Sequence, residues 1–133
     1  MTPEQLLSRL PMVPYLRNGT DMRGLDCWGL VEVWHREVLD IDLTDRQAHT
    51  SAPEGLSAGF DARSDWLPAE PQDHAVWTAR AISEAGVIIH HGHCGIVWQG
   101  NAYHMHHEGG FQHAPVTDRS LRINGFWLHK CLQ

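Results

Sequence analysis

The repeat distance of the apolar residues changes once along the chain. Cys27, Leu30, Val31, Trp34 and Val38 recur at i, i+3, i+4, i+7 and i+11, with Glu32, His35, Arg36 and Glu37 on the opposite side. That spacing predicts an amphipathic helix over about 27–39. Beyond residue 75 the pattern shortens to alternation. Ala75–Trp77, Gly86–Ile89, Cys94–Trp98, Ala102–His106 and Leu121–His129 read as short strands. A helix first and strands later imply an α+β class with an antiparallel sheet. Thr2, Pro3 and Gln5 form a capped helix start ahead of Leu6, Leu7 and Leu10, and Pro11 and Pro14 end that short helix. Tyr15 to Leu25, with Asn18, Gly19, Asp21 and Gly24, reads as loop. Residues 40–64 carry no clear period.

At 133 residues, with 42% hydrophobic residues and no dividing linker, the chain is expected to form a single domain over 1–133. Its formal net charge of −6 argues against a protein built to grip nucleic-acid phosphates. No apolar run approaches the roughly 18 residues of a membrane-spanning helix, and the first residues lack a signal-peptide pattern. Three cysteines make a disulfide framework improbable and leave a free thiol. The distinguishing feature of the composition is its 11 His and 6 Trp.

Among the cysteines, Cys27 has the position that chemistry favours. It lies at the first turn of its helix, directly after the N-cap candidate Asp26. Free N–H groups and the helix dipole there stabilise a thiolate. The Asp26 charge opposes this, but an N-cap carboxylate turns toward the N2 and N3 amides, so the dipole is expected to win. Cys94 and Cys131 read as structural.

The histidines concentrate in a candidate hairpin. His93, Gly95 and Val97 share one strand face, and Cys94, Ile96 and Trp98 share the apolar one. A Gly100-Asn101 turn puts His106 opposite Gly95 and diagonal to His93. A Gln99-Gly100 turn puts His104 opposite Gly95 and His106 opposite His93. Glycine first suits a type II′ turn, so His106 is preferred and His104 is the alternative. A helix-borne thiol, a strand histidine and a third polar group on the next strand make a Cys-His-X triad, in which the histidine moves the proton and the third group orients it. His91-x-His93 and His104-x-His106 also permit a metal site, but no Asp, Glu or Cys with ligand spacing completes either pair. No metal or cofactor is therefore expected.

The motifs resemble a known family. Asp26-Cys27-Trp28-Gly29-Leu30-Val31 is similar to the D-C-[SW]-G-L-V motif of the NlpC-type cell-wall peptidases, and His93-Cys94-Gly95-Ile96-Val97 to their H-V-G-I-Y strand. Pro14 to Gly19 resembles the segment P-Y-x-x-G-G, with Asn18 in place of the first glycine. Met105-His106-His107, the tryptophan after the cysteine and the ending Gly125 to His129 resemble the tail-tip peptidases of long-tailed phages.

The resemblance implies a minimal papain-like fold, with a cysteine-bearing helix packed on a short antiparallel sheet. It implies Cys27 as nucleophile, His93 as general base, His106 as third member and Tyr15 as a hydroxyl that helps hold the oxyanion. The implied substrate is the peptide stem of peptidoglycan, and the implied partners are phage tail-tip proteins. With no wall-binding module and no signal peptide apparent, the expected setting is a virion or prophage tail, or the bacterial cytoplasm before assembly, with action at the cell wall. The competing expectations are a non-catalytic tail-tip assembly subunit of the same fold and, more remotely, a histidine-rich metal binder.

Overall fold

The computed structural model describes residues 1–43, 65–83 and 85–133. The interval 40–64, which carries no clear period in sequence, lies almost wholly outside the described residues. Helix α1 (Pro3–Arg9) opens with the expected capping box: the Gln5 N–H donates to Thr2 Oγ1 at 3.1 Å, and the Thr2 N–H donates to Gln5 Oε1 at 2.8 Å. A 3₁₀ turn, Leu10–Met12, takes Pro11 into its first positions and ends the segment. The region expected as loop holds a small antiparallel ribbon, β1 (Thr20–Asp21) and β2 (Gly24–Leu25).

Helix α2 spans Cys27–Leu39, in agreement with its apolar period. Asp26 is its N-cap, and its carboxylate accepts from the Gly29 N–H at 2.7 Å. The helix stops at Asp40, which takes the left-handed conformation with φ 56°.

The remaining strands form one antiparallel sheet: β3 (Trp66–Pro68), β4 (Val76–Ile82), β5 (Ile88–Trp98), β6 (Asn101–His106), β7 (Gly110–Pro115) and β8 (Ile123–His129), in the order β3-β8-β4-β5-β6-β7. Two strand candidates, 86–89 and 94–98, fall at the two ends of β5, which starts at Ile88 and leaves Gly86 and Val87 outside it; the polar run His90 to His93 conceals their continuity. Strand β7 is unannounced because as an edge strand it buries little and lacks a clean alternation.

One core cluster joins the helices to one side of the sheet: Leu6, Leu10, Leu25, Cys27, Trp28, Leu30, Val31 and Trp34 meet Val76, Cys94, Ile96, Met105 and Trp127. A second cluster contains Ala75, Trp77, Ala79, Val97, Ala102 and Leu128. The two clusters divide β5 by alternation, Cys94 and Ile96 in the first and Val97 in the second.

The β5–β6 hairpin departs from the preferred register. Ile96 pairs with Tyr103, Val97 with Ala102 and Trp98 with Asn101, so the turn is Gln99-Gly100 and not Gly100-Asn101. Both turn residues have positive φ, 48° and 79°, as a type I′ turn requires. Gln99 is held in this uncommon conformation by its N–H, which donates to Asp73 Oδ1 at 2.7 Å.

Candidate active site

The local chain around Cys27 is built on close backbone approaches. The Asp26 carboxylate is fully buried and accepts at 2.7 Å from both Gly29 N–H and Asn18 N–H, so one side chain caps α2 and ties down the preceding loop. A Cβ on Gly29 would sit 2.0 Å from the Gly19 carbonyl oxygen, which excludes any side chain there. Asn18, in place of the family-like glycine, takes positive φ at 62°. Tyr15 forms a parallel bridge with Leu25, two residues before Cys27, and packs half-buried against the first core cluster.

Cys27 is 4% exposed at the first turn of α2. Its thiol pKa is lowered to about 5. Hydrogen bonding with the Cys94 thiol is the largest influence, opposed by burial; hydrogen bonding with His93 and the His93 charge follow, and the Asp26 charge opposes weakly. The Asp26 penalty is outweighed by Cys94 and His93, and not by the helix dipole on which the expectation rested. Cys94, however, is more than a core filler. Its own thiol is driven well above the ordinary range by burial and by the neighbouring Cys27.

His93 meets its partner on β6. Its Nε2 lies 2.8 Å from His104 Nδ1, with ring centroids 5.0 Å apart. Continuing the observed register puts His104 opposite Gly95, diagonal to His93. The preference for His106 as the hydrogen-bonding neighbour is therefore corrected: its ring centroid is 6.3 Å from that of His93, and its Nδ1 accepts from the Glu108 N–H at 3.2 Å in the β6–β7 turn. The space above Gly95 is not empty. Trp77, its cross-strand partner, lies edge-on to His93 at 5.6 Å and to His104 at 5.3 Å. A Cβ on Gly95 would come within 2.6 Å of that indole and 2.1 Å of the Tyr103 carbonyl oxygen. Gly95 leaves the space in which Trp77 packs edge-on against both imidazoles.

His104 is 6% exposed, and burial first, then the charges of His93 and His106, lower its pKa to about 3. It is therefore neutral at physiological pH. A neutral His104 can accept at Nδ1 from a His93 Nε2–H, which leaves His93 Nδ1 as the nitrogen able to take a proton.

His91 is engaged elsewhere: its Nδ1 lies 3.0 Å from Thr78 Oγ1 and 3.3 Å from Asn124 Oδ1. Among the described residues no group of three or more His, Cys, Asp or Glu is arranged to hold a metal ion. The signal that sequence reasoning missed was Cys94. It lies next to His93 on the core-facing side of β5, the side onto which α2 must pack.

No protein-family model matches the chain, and no curated protein matches it. Among solved structures, it is similar to the NlpC/p60 domain of the peptidoglycan hydrolase SagA, with a TM-score of 0.55 and 13% identity over 96% of this chain and 98% of that one. A helix with cysteine at its first turn, packed on an antiparallel sheet that carries the paired histidines, is thus an α+β arrangement of the papain-like NlpC/p60 fold.

Proposed function

We propose that the protein is a cysteine peptidase that hydrolyses peptide stems of peptidoglycan. The observation that carries this reading is the relay of Cys27, His93 and His104. A thiol with pKa about 5 stands at a helix start beside an imidazole whose far nitrogen is 2.8 Å from a neutral second imidazole.

Cys27 Sγ attacks the scissile carbonyl carbon as the thiolate. The oxyanion is held by the Cys27 N–H, one of the amides that a helix start leaves without an intrahelical partner, together with the Tyr15 hydroxyl. The His93 imidazolium protonates the leaving amine. His93 then takes a proton from the water that hydrolyses the thioester. His104 touches no reacting atom; it positions His93 and sets its tautomer.

The wall substrate is supported by the NlpC/p60 fold and by the Asp26-Cys27-Trp28-Gly29 and His93-Cys94-Gly95 motifs. The Met105-His106-His107 motif and the tryptophan after the cysteine support a phage tail or prophage origin, with tail-tip proteins as partners and the cell wall as the site of action. The test is release of new amino groups from isolated peptidoglycan. Wild-type protein is expected to release them, and Cys27→Ala to lose about a thousandfold or more of the rate. Equal release by both proteins removes the peptidase reading and leaves a non-catalytic assembly subunit of the same fold.

A further inference from the structure

Two β-bulges flank β4 at the same level. Between the pairs Ala79–His93 and Ala81–Ile89, β5 carries His90, His91 and Gly92 against Arg80 alone. Between the pairs Thr78–Gly125 and Ala79–Ile123, β8 carries the extra residue Asn124. The bulges turn His91 and Asn124 toward each other over the Thr78 hydroxyl. Thr78 Oγ1 donates to Asn124 Oδ1 at 3.1 Å, accepts from Trp127 Nε1 at 3.1 Å and lies 3.0 Å from His91 Nδ1. Asn124 Nδ2 donates to the His90 carbonyl, which fixes the amide with Oδ1 toward His91. The same Nδ2 lies 3.4 Å from His90 Nδ1, so a neutral His90 carries its proton on Nε2. Thr78, His91 and Trp127 are buried, whereas Asn124 and His90 are exposed. None of these side chains takes part in the relay of Cys27, His93 and His104.

The network borders a cavity of about 520 Å³, a size that small-molecule pockets commonly have. Pro68, Ala69, Phe126 and Trp127 supply apolar wall, and His90 and Asn124 supply hydrogen-bonding groups. Among the described residues, no Asp, Glu, Lys or Arg lines it. Thr78 shares a strand face with Val76, and Val76, Trp127, Cys94 and Cys27 belong to one core cluster. The cavity wall therefore lies on the side of the sheet that α2 covers. Cys94, Thr78 and Gly125 are paired in one row, so Gly125 in that wall stands two strand spacings, about 10 Å, from Cys94.

We propose that this cavity is a glycan subsite of the peptidase cleft, which takes an N-acetylated sugar of the peptidoglycan strand. Its choice of ligand rests on the peptidoglycan reading; the site itself rests on the two bulges and the cavity between them. Of the parts of that polymer, the stems bring carboxylates and amines, and the sugars bring hydroxyl and acetamido groups. An uncharged wall selects the sugars, because a carboxylate entering a pocket without Lys or Arg loses hydration and gains no partner charge. The apolar ring face rests on Pro68, Ala69 and Phe126, and His90 Nε2–H donates to the acetamido carbonyl. A stem is joined to its strand at a sugar. A separation of about 10 Å is the length of about three extended residues, so a sugar held here leaves its stem within reach of Cys27.

The experiment uses the full chain with Cys27→Ala, which prevents turnover, and chitotriose, the trimer of N-acetylglucosamine, as probe. Binding is read by NMR from the Trp127 indole N–H and the His90 ring protons, with cellotriose and a sugar-free stem peptide as comparisons. Chitotriose is expected to shift these signals saturably, and cellotriose, which lacks the acetamido group, to bind at least about tenfold more weakly. His90→Ala, at an exposed position, and Asn124→Leu should each weaken chitotriose by about tenfold. No saturable shift with chitotriose up to about 10 mM, or equal binding of cellotriose, overturns the proposal, and neither result needs a variant to fold. Shifts of the same signals by the sugar-free peptide assign the cavity to the stem and overturn it as well. Chitotriose binding beside a failed peptidoglycan assay removes the peptidase and keeps the sugar site; an active peptidase whose cavity ignores chitotriose does the reverse.

Discussion

At Cys27 burial and hydrogen bonding compete over a single proton. Removing a thiolate from water raises its pKa, while the neighbouring Cys94 and His93 lower it, and the balance falls near 5. Alkylation by iodoacetamide as a function of pH, measured in Cys131→Ser protein, should therefore rise with a midpoint near 5. An unperturbed thiol titrates near 8.5. A midpoint at the ordinary value would mean that Cys27 is not activated. The second residue-scale expectation separates two neighbouring histidines. His104 makes the 2.8 Å contact with His93, and His106 is turned to the Glu108 amide. His104→Ala should lower kcat by about a hundredfold through loss of a single His93 tautomer. His106→Ala should cost much less. The ratio of the two rates on one peptide substrate checks it, and an equal loss at both positions would contradict the assigned pairing.

At the scale of elements, the start of α2 depends on a single carboxylate. Asp26 accepts from Gly29 and from Asn18, so it holds helix and loop in one geometry. Asp26→Ala removes a cap and strands an amide, and should destabilise by about 2–3 kcal/mol. Asp26→Asn, with a single acceptor oxygen, should lose roughly half of that. Urea unfolding midpoints of the three proteins decide it, and an Ala variant as stable as wild type would show that the cap is dispensable. The β5–β6 hairpin shows an element whose identity was legible while its register was not. A slip of two residues keeps every side chain on its original face, because the side-chain period of a strand is two. The pairings of Gly95 with His106 and of Gly95 with His104 therefore satisfy the hydrophobic pattern equally. The Gln99 N–H to Asp73 contact favours one turn over the other, and Asp73 is remote in sequence. For β5 itself, the polar run His90 to His93 broke an alternation that the backbone ladder carries through.

For the whole molecule, the interior sets the acid limit. His35 is fully buried, its Nδ1–H donates to the Val31 carbonyl at 2.8 Å, and its Nε2 has no hydrogen-bond partner among the described residues. Burial first, with the charges of His129 and His74 adding to it, lowers its pKa to about 4. The unfolded chain binds this proton near pH 6.5 and the native one only near 4, so between those values the unfolded state holds more protons. Stability is therefore intact above pH 6.5 and falls as the pH drops toward 4, by about 3 kcal/mol from His35 alone. His104, lowered to about 3, adds to the same trend. His35→Leu should flatten the dependence of the urea midpoint on pH across that window. An unchanged slope would assign the acid sensitivity elsewhere.

Local features were legible in the chain: the capped start of α2 with Cys27 on its buried face, the division of β5 into a His93 side and a Cys94 side, and the α+β order. These follow from periodicity and capping, which act over a few residues. Long-range packing chose His104 as the histidine against His93, set Trp77 over Gly95, and put Cys94 in one core cluster with Cys27. Each of those is a choice among arrangements with the same burial pattern. It is made by contacts between segments far apart in the chain, and no local period encodes them.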